Sequence, residues 1–233
     1  MTDSEFNKFS DIIKTPFNDI GLLRQAFTHR SYINEHRDAE ADHNERLEFL
    51  GDAVLELAVT DYLYKTYPSK PEGELTAYRA SLVNTISLSE AAAELSVNDY
   101  LLLSRGEAKD TGRARQYILA NTFEAIIGAI YLDSGYDQAF NFIESNLLYK
   151  MSDIIARNLW QDAKSFFQEK AQEFTSITPS YEVLNETGPD HNKKFRVGVY
   201  LDKELIAEGE GHSKQEAEQK AAQLGLSTKS WDK

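Results

Sequence analysis

The sequence predicts an α+β chain of two domains: an all-helical domain over residues 1–158 and an α-β-β-β-α domain over residues 162–230. Three observations carry this reading. Apolar residues up to about residue 155 recur at helical spacing with almost no strict alternation. After residue 180 the period changes to two, with turn residues between short alternating runs. The charge divides at the same place: residues 161–233 hold 10 basic and 13 acidic residues, a net of −3, whereas residues 1–160 hold 15 and 25, a net of −10.

Taken in order, residues 47–64, 75–95, 117–132 and 136–155 read as helices. Pro16, Pro68, Pro71 and Pro179 fall between such segments or near their ends, where a missing N–H costs nothing. Residues 162–174 form a further helical stretch. Residues 181–185, 195–201 and 205–210 alternate as strands, with turns at Gly188-Pro189-Asp190 and Asp202-Lys203. Ser213 followed by Glu216 has the spacing of a capping box and starts a final helix. No Gly/Ser/Pro tract lies near residues 159–161, so the join is short.

Composition excludes several classes. At 41% apolar residues the chain buries a real core, and no apolar run approaches the roughly 20 residues of a membrane span. Zero cysteines exclude disulfides, thiolate metal sites and thiol nucleophiles. The first residues, Met1-Thr2-Asp3-Ser4-Glu5-Phe6, lack the pattern of a secretory signal, and a cytoplasmic setting is expected. A net charge of −13 excludes a generally basic, histone-like binder. It leaves room for a nucleic-acid enzyme, because Mg²⁺ sites need clustered carboxylates.

The most informative stretch is Asn44-Glu45-Arg46-Leu47-Glu48-Phe49-Leu50-Gly51-Asp52. On a helix, Glu45, Glu48 and Asp52 share one face, and the rest of that helix is apolar nearly all round. Burying several carboxylates costs several kcal/mol each unless something pairs them, and no Lys or Arg shares the stripe. A divalent cation would resolve the conflict. A second helix repeats the pattern: Asn121 and Glu124 lie one turn apart among apolar residues. Gly51 and Gly128 would let the two helices approach closely enough for both polar stripes to share one ion. A solvated acidic face is the ordinary alternative, and the apolar flanks argue against it. Glu56 continues the first stripe at its periphery.

These residues resemble the signature of bacterial ribonuclease III, an endonuclease of double-stranded RNA. The resemblance spans nearly the whole chain, through Phe27-Thr28-His29-Arg30-Ser31, Glu72-Gly73, Arg79-Ala80-Ser81-Leu82-Val83 and Phe123-Glu124-Ala125-Ile126-Ile127-Gly128. By resemblance the first domain is an all-α endonuclease domain. Glu48, Asn121 and Glu124 correspond to metal ligands, for Mg²⁺ or Mn²⁺. Asp52 and Glu124 correspond to the essential catalytic acids, and Glu45 and Glu72 to outer acids of the cleft. The resemblance also implies a homodimer about the signature helices, with Phe49 plugging into the partner. Each subunit would cut one strand to leave 5′-phosphates and short 3′ overhangs, in the processing of rRNA and mRNA precursors. Asn121 departs from the family, which commonly has Asp there. An amide oxygen still ligates a metal, but one negative charge is missing.

Residues 162–228 resemble the double-stranded-RNA-binding domain, which reads A-form shape through 2′-OH and phosphate contacts. By motif, Ser165, Gln168, Glu169 and Gln172 face one minor groove, and Pro189 and His191 enter a second. Ser213, Lys214 and Gln215 at the start of the last helix meet phosphates. That helix is less basic than is usual for the family, because Gln215, Glu216 and Glu218 dilute its lysines, which implies weaker and more salt-sensitive binding.

In the first domain, Arg105, Lys109, Arg113 and Arg115 surround Gly106 and Gly112. This loop could hold RNA phosphates, and a plain surface loop accounts for it equally well. His29 reads as a structural hydrogen-bonder. Two rival functions remain: a nuclease-derived dimer that binds duplex RNA without cutting it, and a phosphohydrolase using Asp42-His43 as metal ligands.

Overall fold

In a computed structural model, residues 1–36, 42–157, 160, 162–189 and 193–231 are described, and the chain divides into two compact units, Met1–Trp160 and Gln161–Lys233. His191, expected at a minor groove, lies outside the described residues.

The first unit opens with three short helices, α1 (Asp3–Ile12), α2 (Ile20–Ala26) and α3 (Arg30–Glu35). It continues with α4 (Glu45–Thr66), α5 (Glu72–Leu82), α6 (Thr85–Glu94), α7 (Arg113–Ser134), α8 (Tyr136–Asn146) and α9 (Met151–Ala156). Two stretches with one continuous helical period are each broken in two. In 75–95 the break falls at Asn84, whose side-chain oxygen accepts the N–H groups of Ile86 (3.1 Å) and Ser87 (3.0 Å) and so starts a new helix. In 136–155 it falls at Leu147 (φ −136°, ψ −51°), which puts Leu147, Leu148 and Met151 all into the core. A continuous helix would have turned Leu148 to the side opposite Ala139, which α8 buries.

The centre of this unit is the crossing of α4 and α7, each 22 residues long. A Cβ on Gly51 would overlap the carbonyl oxygen of Glu124, and one on Gly128 would overlap that of Leu47. The two backbones are therefore in contact at reciprocal glycines. Leu47, Val54, Leu55, Phe123, Ile126 and Ile127 fill the core around the crossing.

In the second unit, α10 (Ala163–Thr175) is followed by β1 (Ser180–Thr187), β2 (Lys194–Leu201), β3 (Glu204–Gly211) and α11 (Lys214–Lys229). The strands form an antiparallel sheet in the order β1-β2-β3. Its inner-face residues Val199, Leu201 and Ile206 pack with Phe167, Ala171, Ala222 and Leu226 of the two helices. Ser213 caps α11 by accepting the Glu216 N–H (3.1 Å). Glu216 reaches back to the His212 N–H (2.7 Å), one residue before the expected capping-box partner.

Candidate active site

The first turn of α4 is fixed from behind. Buried Asn44 donates its side-chain N–H to Ala26 O (3.1 Å) and its backbone N–H to Thr28 O (2.9 Å). From there Glu45, Glu48 and Asp52 run along one face of α4, and the Gly51–Gly128 contact sets α7 against that face.

The four inner groups then act on one another. Asn121 donates a side-chain hydrogen bond to Glu48. Burial, together with the charges of Glu45 and Asp52, nevertheless keeps the Glu48 carboxyl above its ordinary range. Glu124 is further perturbed: burial first, then the charges of Asp52 and Glu48, push it up to about 7. Two helices thus hold Glu48, Asp52 and Glu124 close enough to repel, with one amide among them. Glu45 lies at the rim, 3.7 Å from the guanidinium of Arg30 and 3.7 Å from His43 Nδ1.

Among the described residues, no three acidic or histidine side chains converge as a closed metal cage.

Glu72 is not brought to this cluster within one chain. It begins α5, accepts a hydrogen bond from Thr76 Oγ1 (3.0 Å), and lines a cavity of about 430 Å³ with Thr60, Leu63 and Tyr64 of α4. Phe49, on the outer face of α4, is 81% exposed, and Leu57 (58%) and Tyr64 (73%) continue the apolar strip. In the basic loop, Arg115 is already engaged: it donates to Asn98 Oδ1 (2.8 Å) and to Glu107 O (2.6 Å). Lys109 and Arg113 are exposed. His29 Nδ1 bonds Ser31 Oγ (2.8 Å), which in turn accepts the Ser104 N–H (3.0 Å), so it ties α3 to this loop.

In the second unit Ser165, Gln168, Glu169 and Gln172 line one open groove along α10. Lys214 and Gln215 are exposed at the start of α11, and Pro189 is exposed beyond β1. Many cations of this unit are paired internally: Lys164 with Glu218 (2.5 Å), Arg196 with Glu210 (2.9 Å) and Lys220 with Glu216 (2.7 Å).

Residues 19–151 match the Ribonuclease-III-like family model, and residues 163–228 match the double-stranded RNA binding motif. The chain belongs to the ribonuclease III family. Ribonuclease 3 of Borreliella burgdorferi is 44% identical over 223 residues, covering 96% of this chain and 91% of that protein. Ribonuclease 3 of Bacillus licheniformis is 45% identical over 222 residues, covering 95% and 89%. The ribonuclease III nuclease domain of Campylobacter jejuni, from a study of flexibility in its dimer-forming region, superposes with a TM-score of 0.54. It is 39% identical and covers 60% of this chain and 96% of that one. As a member of the family the chain is a ribonuclease, with a mostly helical nuclease domain ahead of a double-stranded-RNA-binding domain.

Sequence reasoning missed the partners that hold the site residues. Arg30 and His43 beside Glu45 lie 15 and 2 residues away with no spacing signal. The same holds for Glu218 against Lys164, which meet only when α11 packs on α10.

Proposed function

We propose that this ribonuclease is a Mg²⁺-dependent endonuclease that hydrolyses phosphodiesters in double-stranded RNA, leaving 5′-phosphates and short 3′ overhangs. The observation that carries this reading is the clustering of Glu48, Asp52 and Glu124 across the α4–α7 crossing, where burial first and then mutual repulsion push Glu124 up to about 7. A site that crowds ionisable carboxylates at a cost in stability favours a cation over protons. Glu48, Glu124 and the oxygen of Asn121 would hold the ion, and Mn²⁺ would fit the same hard donors. When bound, Mg²⁺ polarises the phosphate and lowers the pKa of water. Asp52 accepts a hydrogen bond from the attacking water and sets its line of approach, and the carboxylates take up its proton. Glu48 and Glu124 are half-buried between the helices, whereas Asp52 is exposed and open to the attacking water.

A homodimer about α4 accounts for two further features. It would cover the exposed strip of Phe49, Leu57 and Tyr64. It would also unite the outer acids: Glu45 and the α4 residues beside Glu72 lie about 15 residues apart, roughly 22 Å along the helix. A two-fold axis reverses one α4 against the other, so one copy's Glu45 end meets the partner's Glu72 end. The α10 groove, with Ser213, Lys214, Gln215, Lys109 and Arg113, would hold the duplex. We place this activity in the cytoplasm, in the maturation of rRNA and mRNA precursors. No helix among the described residues is long and apolar enough to cross a membrane.

A non-cleaving duplex-binding dimer is the second reading. It is favoured by one observation, the Asn121 amide hydrogen bond that neutralises part of the demand of Glu48 for a cation. Incubation with labelled duplex RNA, with and without ~10 mM Mg²⁺, decides between them. Metal-dependent cutting supports the nuclease, and binding without cutting supports the alternative.

A further inference from the structure

Lys214, at the start of α11, does not stand free for phosphate. Its ammonium lies 3.5 Å from Glu186 Oε1, while Glu186 Oε2 lies 3.4 Å from Lys193 Nζ. A single carboxylate at the end of β1 thus bridges the first lysine of α11 and the lysine that precedes β2. Strand pairing holds it there, since Glu186 lies opposite Phe195. The Phe195 ring in turn sits 5.8 Å from the Lys214 ammonium. Glu186 and Lys193 are more than a third exposed and Lys214 more than half, so this is an open surface arrangement that an incoming ligand can reach.

An anion held by two ammonium groups beside a helix N-terminus has the chemistry of a bound phosphate. We propose that Glu186 is an internal competitor for the RNA backbone, whose displacement by a phosphate sets the affinity and salt dependence of the C-terminal domain for duplex RNA. The inference rests on the RNA-binding reading of that domain and deepens it. In the free protein the carboxylate satisfies Lys214 and Lys193. In the complex a phosphate takes its place, and binding is reduced by what the two surface pairs contribute. Such pairs are each worth a few-fold in an equilibrium constant.

Glu186→Gln keeps the shape of the side chain and removes the charge. Full-length protein, held in EDTA so that no metal-dependent cutting occurs, is titrated onto a labelled RNA duplex of roughly 25 base pairs, longer than the roughly 16 such a domain spans. At near-physiological salt the variant should bind about three- to tenfold more tightly than wild type. Its plot of log affinity against log salt should steepen by roughly one unit, as Lys214, released from Glu186, reaches phosphate. In a Lys193→Gln/Lys214→Gln background the same change should have no effect, while the thermal midpoint of each variant stays within about 2 °C of its parent, as for a surface substitution. Unchanged or weaker binding by Glu186→Gln overturns the inference, as does a gain that persists without the two lysines. If wild type and variant both fail to bind duplex even at low salt, the RNA-binding reading itself fails, and the inference with it.

Discussion

Replacing Glu124 by glutamine should make the metal-free protein more stable while destroying its activity. The Glu124 carboxyl is raised from 4.5 to about 7 by burial and by the charges of Asp52 and Glu48. A carboxyl whose folded pKa lies above its unfolded one opposes folding when ionised. Its cost is nil below the unfolded value, grows as pH rises through the interval, and is complete above pH 7. The full shift corresponds to about 3 kcal/mol. Water still reaches the half-buried side chain, and screening reduces this to roughly 1–2 kcal/mol. Glutamine, neutral at every pH, avoids the cost. Thermal unfolding in EDTA should therefore give nearly equal midpoints for the two proteins at pH 4.5, and a variant higher by roughly 2–8 °C at pH 8. Mg²⁺ should reverse the order by stabilising wild type alone, by about 2.7 kcal/mol at a hundred times its dissociation constant. A difference between the two proteins that is the same at pH 4.5 and pH 8 would show that Glu124 is not held in the repulsive cluster. Equal stabilisation of both by Mg²⁺ would remove Glu124 from the metal site.

Four further outcomes follow from the same geometry. Asp52→Asn should lower duplex cleavage at least about 100-fold, the scale of losing a positioned acid or base, while binding in EDTA stays unchanged; cutting within a few-fold of wild type refutes its role. Asn121→Asp removes the donor to Glu48 and adds a fourth negative charge, so metal-free stability should fall by roughly 1–3 kcal/mol. In the same variant half-maximal cleavage should need less Mg²⁺, and an unmoved midpoint in a metal titration would place residue 121 outside the ion's reach. Gly51→Ala drives a Cβ into the Glu124 carbonyl and should cost about 3 kcal/mol or more, with loss of cleavage, measured by denaturant unfolding beside the activity assay. Ending the chain after Trp160, which packs edge-on against Tyr78, should leave a folded unit that cuts at low salt and fails near physiological salt; equal salt sensitivity of both lengths would deny the second unit its role in holding RNA.

Much of the fold and of the inner site was legible in the residues themselves. Helical spacing located the cores of α4 and α7, and alternation located the three strands, because both are periodic signals repeated over many residues. The acidic stripe of Glu45, Glu48 and Asp52 was legible for the same reason. Gly51 and Gly128 announced a close crossing because only a missing side chain permits one. The breaks at Asn84 and Leu147 were not legible, since one side-chain hydrogen bond and one need for burial outweigh a continuing helical period. Helices α2 and α3, of seven and six residues, are too short for a period to stand out. Only the tertiary structure decided which charges meet. It set Arg30 and His43 beside Glu45, took Arg115 into its own loop, kept Glu72 away from the inner acids, and tied Lys214 and Lys193 to Glu186. The physical reason is range. Periodicity is written into neighbouring residues, whereas an ion pair depends on a few ångströms between groups that only packing brings together.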